Sequence, residues 1–210
     1  MLTPLPTDPK LYGILDLGYL KPEELETATH ELIAGGADLL QLRAKGHEPG
    51  EVLAWARSLL PICRKAKIPF IINDHAAVAA EVGADGLHIG QDDGSLTAAR
   101  AIIGPELILG RSTHSVEQAE EALADGFDYI GFGPLFPTPT KKGRPGIGIE
   151  NVSKVEDTIG QSIPVFCIGG IKRSNLLEVT AAGAKRIVIV SDLLTAPERE
   201  AAARAAKNQL

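Results

Sequence analysis

The chain is poor in several things that would assign it to broad protein classes. It has two cysteines and one tryptophan in 210 residues, and aromatic side chains make up 4% of it. Cys63 and Cys167 are far apart in sequence, with no CxxC spacing and no Cys/His cluster around them. That argues against a disulfide scaffold or a structural zinc site and for two core thiols in a reducing compartment. No apolar run reaches the roughly 18 residues of a membrane-spanning helix. The opening MLTPLPTDPK also lacks the basic start and apolar stretch of a secretion signal. The expectation is a soluble, cytoplasmic protein with no membrane partner. Excess positive charge is missing as well. The formal net charge is −6, which argues against nucleic acid, a polyanion drawn by basic surfaces. Small anions stay open, because local basic loops can outweigh net charge.

What is present is ordinary globular composition, 44% apolar and 23% charged, enough to bury a core in one domain. Short apolar runs alternate with stretches whose apolar residues recur three and four apart, the signature of alternating strands and helices. The spacing predicts strands at Leu11–Asp16, Asp38–Arg43, Ile68–Asn73, Gly86–Ile89, Glu106–Gly110, Asp128–Phe132, Ile163–Ile168 and Arg186–Val190. Helices are expected between them, near Pro22–Ala34, Pro49–Lys65, Ala76–Val82, Leu96–Ile103, Val116–Ala124, Glu150–Ile159 and Ser174–Ala182, with a last one from Pro197 to Asn208. The strings GGAD, VGAD, DGFD and AGAK sit where each helix must stop, with glycine as the left-handed cap. Runs such as FII, LIL and IVIV are apolar throughout, as parallel strands covered on both faces are. Eight such units predict an α/β chain folded as a single (β/α)8 TIM barrel over residues 1–210. Residues 1–10 would form an N-terminal lead and 133–149 a long active-site loop. An open doubly wound sheet is the alternative, but it often carries a GxGxxG turn, which is absent.

In such a barrel the chemistry belongs on the loops after the strand C-termini. The second strand ends in Gln41-Leu42-Arg43-Ala44-Lys45-Gly46, where Gln41 and Arg43 share the inward parity and Lys45 reaches into the loop. Two cations and an amide suit an anion; a buried Arg43 paired with a barrel carboxylate, beside an exposed Lys45, is the plainer alternative. The third and fourth strands end in Asn73-Asp74-His75 and His88-Ile89-Gly90-Gln91-Asp92-Asp93-Gly94. Asp74 and Asp93 on neighbouring loops suit Mg2+, which takes one or two carboxylates and leaves phosphate and water to complete its octahedron. Each could instead cap the following helix, as could Ser95. The fifth strand end, Gly110-Arg111-Ser112-Thr113-His114-Ser115, offers Ser112 as a ligand and Ser115 as a cap. After the sixth strand, the segment Gly133 to Gly148 carries hydroxyls and cations that could close over phosphate, and it is expected to be mobile without ligand. The last two strands end in Ile168-Gly169-Gly170-Ile171 and Val190-Ser191-Asp192, where phosphate-binding barrels use backbone N–H groups.

The strings QLRAKG, INDH, GADGLHIGQDD, GRSTHS, DYIGFGPLFPTPTKK and CIGGI, in this order from about Leu11 to Ser191, closely resemble the thiamine phosphate synthase family. The resemblance implies a transferase of barrel fold that uses Mg2+ to join 4-amino-2-methyl-5-hydroxymethylpyrimidine diphosphate to a thiazole phosphate, plain or carboxylated. It also implies a dissociative path in which pyrophosphate leaves before the thiazole nitrogen bonds. By motif, Gln41, Arg43, Lys45, Asn73, Ser112 and Lys141 would hold the pyrimidine diphosphate, and Leu42 and Ala44 of the same strand-end segment would also bind substrate. Asp74 and Asp93 would hold Mg2+, and Thr138, Pro139, Thr140, Gly170, Val190 and Ser191 would take the thiazole phosphate. Arg43, Lys45 and Lys141 would stabilise the leaving group. The implied partners are small phosphorylated molecules, and a homo-oligomer is compatible with them. Three departures stand out: His75 where many relatives have a second Asp, Arg111 before Ser112, and Asp16-Leu17-Gly18 after the first strand. Arg111 could add a phosphate contact or face outward. The rival within the superfamily is a thiazole tautomerase-like protein; a non-catalytic thiazole phosphate-binding regulator is the rival outside catalysis. A generic phosphosugar isomerase or aldolase would need a catalytic base or Schiff-base lysine, and Lys45 already has an anion-binding rationale.

Overall fold

The computed structural model describes residues 2–138 and 145–210. Parallel strands β1 (Leu11–Asp16), β2 (Leu39–Arg43), β3 (Phe70–Asn73), β4 (Gly86–Ile89), β5 (Ile108–Thr113), β6 (Tyr129–Phe132), β7 (Val165–Cys167) and β8 (Ile187–Ile189) close into a barrel in chain order, β8 pairing back onto β1. Around it lie α1 (Leu25–Ala34), α2 (Pro49–Ala66), α3 (Ala76–Val82), α4 (Leu96–Ile103), α5 (Val116–Asp125), α6 (Val152–Thr158), α7 (Leu176–Ala181), α8 (Ser191–Leu194) and α9 (Arg199–Lys207). The expected barrel is the fold observed. Among the described residues no helix is long and apolar enough to cross a membrane.

Local chemistry explains the helix ends. The hydroxyls of Ser95 and Ser115 accept the N–H of Ala98 and Gln118, so these serines cap α4 and α5. Gly83 and Gly126 end α3 and α5 at φ of 68° and 94°. The aspartates of the strings GGAD, VGAD and DGFD do more than follow a turn. Asp38, Asp85 and Asp128 each accept the backbone N–H of a residue in the preceding strand region: Leu11 at 2.8 Å, Phe70 at 2.9 Å and Leu109 at 2.7 Å. These carboxylates tie the N-terminal rim of the barrel together, the end where such folds invest in stability.

The core has two compartments. The larger lies between strands and helices and includes Leu42, Ala44, Cys63 and Cys167. Burial pushes both thiols up to about 12, so they are packing groups. The smaller compartment fills the barrel with Tyr12, Ile14, Leu39, Ile71, Ile108, Tyr129, Phe166 and Val188. Space for Tyr129 comes from Gly110 on the neighbouring strand, where a Cβ would sit 2.1 Å from Tyr129 Cζ. Gly110→Ala should therefore cost about 1–3 kcal/mol, the usual penalty of overpacking, read as a lowered denaturant midpoint with an unchanged slope.

Most element ends fall within one to three residues of the sequence reading, several strands being shorter than expected. β5 instead continues to Thr113 rather than ending at Gly110, and α8 is an additional short helix. At the mouth of a barrel, inward residues face solvent and ligand instead of core. Strand ends there are polar, and apolar runs underestimate them.

Candidate active site

The strand C-termini enclose an open cavity of about 520 Å³ lined by alternate residues of the strands. From β1 come Tyr12, Ile14 and Asp16, and from β2 Gln41 and Arg43; Asn73, His88, Ser112 and Tyr129 add polar groups. The period of two that points these side chains inward sends Leu42 and Ala44 into the outer core, where they are buried. Their side chains therefore face the helices and away from the cavity.

Arg43 donates from Nη1 to Asp16 Oδ2 at 2.8 Å, and Asp16 is 1% exposed. Asp16 also accepts the Gly18 N–H at 2.9 Å. The unusual Asp-Leu-Gly end of β1 thus becomes a turn that holds the carboxylate under Arg43. Lys45, more exposed, lies 3.3 Å from Asp74 Oδ2. Both cations of β2 are thereby tethered at the mouth by carboxylates from neighbouring strand ends.

Asp74 sits in an unusual backbone. Its φ is 63°, and His75 N–H donates to Asn73 carbonyl at 2.8 Å while Ala76 N–H donates to Asp74 carbonyl at 3.1 Å. Two consecutive three-residue turns result, the first at positive φ, where a γ-turn is rare and strained. Such strain concentrates at functional sites. The N-cap of α3 is His75, without a side-chain bond, so capping does not explain Asp74. Asp93 also caps no helix: its Oδ2 accepts the Gly90 N–H at 2.9 Å, and Ser95 takes the cap of α4.

Burial pushes the Asp74 carboxyl above its ordinary range; Lys45 opposes this, and the adjacent Asp93 carboxylate adds to it. Two hard carboxylates held side by side, one exposed, fit a cation such as Mg2+ that keeps water and phosphate among its ligands. Among the described residues no group of three or more His, Cys, Asp and Glu side chains forms a metal cage. Arg111 resolves outward. It donates to the carbonyls of Gly94 at 2.7 Å and Gln91 at 3.2 Å and lies over the Phe127 ring, so it braces the loop that carries Asp93.

A second cavity of about 420 Å³ adjoins the first, sharing Ile168, Val188 and Val190, and adds Pro134, Thr138, Gly169 and Ser191. None of these is acidic. Gly169 is pressed on the loop after β6, a Cβ there falling 2.3 Å from Pro134 Cα. Gly170 follows at φ of 66°, its carbonyl held by Asn175 Nδ2 at 3.1 Å. Beside Ser191, the Asp192 carboxylate is occupied by Arg173, at 2.8 Å. Pro139, Thr140 and Lys141 lie outside the described residues, and with them the expectation for the middle of the loop.

Of the residues singled out from sequence, Gln41, Arg43, Asn73 and Ser112 line the first cavity, Lys45, Asp74 and Asp93 meet one another in the loops after β2, β3 and β4, and Thr138, Val190 and Ser191 line the second cavity, with Gly170 next to its Gly169. Sequence reasoning assigned no role to Tyr12, His88, Tyr129 or Phe166. Their inward parity on strands already identified was the available signal.

The family profile described as thiamine monophosphate synthase matches residues 11–193. A thiamine-phosphate synthase of Thermus thermophilus is 43% identical over 182 residues, 87% of each chain. That of Halalkalibacterium halodurans is 43% identical over 192 residues, 91% of this chain and 90% of its own. Among solved structures, the thiamine phosphate pyrophosphorylase of Pyrococcus furiosus superposes with a TM-score of 0.85 at 32% identity, covering 96% of this chain and 95% of its own.

Proposed function

From the premise that the chain belongs to the thiamine monophosphate synthase family, whose members are transferases, we propose that it joins 4-amino-2-methyl-5-hydroxymethylpyrimidine diphosphate to a thiazole phosphate, with release of pyrophosphate. The observation that carries this reading is the arrangement of charge: Arg43, paired with Asp16, lines one lobe, Lys45, Asp74 and Asp93 meet in the loops that follow the same strands, and the adjoining lobe has no acidic residue among its described lining. The first lobe takes the pyrimidine diphosphate. The second takes the thiazole phosphate against Gly170, Ser191 and Thr138. Asp74 and Asp93 would hold Mg2+, which would supply positive charge to the diphosphate.

The chemistry needs no side-chain nucleophile. The bond between the pyrimidine methylene carbon and the diphosphate oxygen breaks, the electron pair departs with pyrophosphate, and the amino-substituted ring spreads the positive charge left behind. Arg43 and Lys45, with Lys141 by family resemblance, stabilise the charge that grows on the leaving group. The lone pair of the thiazole nitrogen then forms the new C–N bond. The two cavities share Ile168, Val188 and Val190, so rings bound in them would lie next to one another.

This reading predicts an acid limit. A protonated Asp74 cannot bind a cation, and its carboxyl is held above the ordinary range by burial and by Asp93. Apparent Mg2+ affinity should therefore weaken as pH falls through that raised pKa, earlier than for an ordinary aspartate. Asp93→Asn should move the titration of Asp74 downward, as followed by NMR of the Asp74 carboxyl carbon.

Turnover tests the function itself. Purified protein incubated with both substrates and Mg2+ is expected to form thiamine phosphate and pyrophosphate in equal amounts. Binding of the thiazole phosphate with no product under any condition would overturn the proposal and support a regulator.

A further inference from the structure

We propose that Tyr12, Tyr129 and His88 form a positioning relay that fixes which hydrogen-bonding polarity Gln41 and Ser112 present to the pyrimidine ring. The inference rests on the reading that the aminopyrimidine occupies this lobe.

Five side chains from five strands form one continuous chain across the barrel. Gln41 Nε2 donates to the Tyr12 hydroxyl at 2.7 Å, and that hydroxyl lies 3.0 Å from the hydroxyl of Tyr129. Tyr129 in turn is 3.0 Å from His88 Nδ1, and His88 Nε2 is 3.0 Å from Ser112 Oγ. Burial pushes both phenols above their ordinary range, so each remains a neutral hydroxyl with a single proton to give. With Gln41 Nε2 donating to Tyr12 and a neutral imidazole, the arrangement that gives every hydroxyl proton a partner runs one way along the chain. Tyr12 accepts from Gln41, so its own proton goes to Tyr129, and the Tyr129 proton goes to His88 Nδ1. A neutral imidazole with Nδ1 accepting carries its hydrogen on Nε2, which donates to Ser112.

The two ends of the chain consequently face the cavity with opposite character. The Gln41 amide spends one N–H on Tyr12, which orients it and leaves its carbonyl oxygen as an acceptor beside the second N–H. Ser112 accepts from His88, leaving its O–H proton as a donor. An aminopyrimidine presents the complement, exocyclic N–H donors and ring-nitrogen acceptors. Within that arrangement one end reverses only if the other groups of the chain reverse with it, so the middle residues, which line the wall of the cavity, set the polarity that the two ends present. Edge-to-face packing of Tyr12 and Tyr129 on Phe166, with centroids 5.2 and 5.6 Å away, holds the two phenol rings in place. Gly110 supplies the space for the second.

Tyr129→Phe keeps the ring and removes both of its hydroxyl bonds. By calorimetry with Mg2+, this variant is expected to bind the aminopyrimidine diphosphate about tenfold more weakly, the equivalent of one or two lost hydrogen bonds. Affinity for the analogue lacking the amino group should change less than about twofold, so the preference for the amino group collapses, and binding of the thiazole phosphate should not change. His88→Gln, which keeps one donor and one acceptor, should retain more of the preference than His88→Leu. A Tyr129→Phe protein that keeps the full preference, or weakens equally for both pyrimidines, overturns the relay. Wild-type protein that binds both pyrimidines equally well also overturns it, while leaving the proposed function standing. Wild-type protein that binds neither overturns that function, and the relay with it.

Discussion

Asp93→Asn is expected to lower Mg2+-dependent thiamine phosphate formation by at least about 100-fold, the scale of losing one preorganised stabiliser of developing charge. Asparagine still accepts the Gly90 N–H that Asp93 Oδ2 accepts at 2.9 Å, so the loop should keep its shape. What disappears is one of the two charges proposed to recruit the cation. The same change relieves repulsion of Asp74, whose carboxyl is held up by burial and by its neighbour. In the folded protein Asp74 binds its proton more tightly than in the unfolded chain. Its ionisation therefore removes stability as pH rises through the raised pKa. At neutral pH the metal-free variant should melt at or above the wild-type temperature, and Mg2+ should no longer raise that temperature. Calorimetric melting with and without Mg2+, beside a turnover assay, checks both halves. Normal turnover would remove Asp93 from the metal site.

Arg43→Met is expected to damage both stability and activity, and a second substitution should separate them. Asp16 is 1% exposed and its Oδ2 accepts from Arg43 at 2.8 Å. Removing the guanidinium leaves a buried carboxylate unpaired, which costs about 3–5 kcal/mol. Arg43→Met with Asp16→Asn removes the stranded charge and should recover most of that loss, as seen in urea unfolding. Activity should not return. Both proteins lack the guanidinium proposed to face the departing diphosphate, and kcat should stay at least about 100-fold below wild type. Recovery of activity in the double variant would reduce Arg43 to a structural partner of Asp16.

These expectations depend on features that differ in how readable they are from sequence. The eight strands could be read because a parallel strand buried on both faces is apolar throughout, and because GGAD, VGAD, DGFD and AGAK separate helix from strand. Inward parity also assigned Gln41 and Arg43 to one face of β2, and both line the cavity. The polar end of β5 was not readable in the same way. Arg111 and Ser112 look like turn residues, yet they continue a strand whose C-terminal end borders the mouth.

The carboxylates needed coordinates to be sorted. Asp38, Asp85 and Asp128 hold backbone N–H groups at the opposite rim, whereas Asp16, Asp74 and Asp93 serve the mouth, and nothing in residue type separates the two sets. Asp74 in particular could pass for a helix cap until its φ of 63° and the cap position of His75 are seen. The Tyr12–Tyr129 contact spans 117 residues of sequence, a pairing that only closure of the barrel creates.

The central claim is a division of labour: the carboxylates and cations of β2, β3 and β4 belong to the diphosphate, and the wall of β7 and β8 to the thiazole phosphate. Isothermal calorimetry of each substrate alone, with and without Mg2+, tests it most directly. The account predicts that binding of the pyrimidine diphosphate depends strongly on Mg2+ while binding of the thiazole phosphate is unaffected. A thiazole phosphate that requires Mg2+, together with a pyrimidine diphosphate that binds equally well without it, would contradict the account.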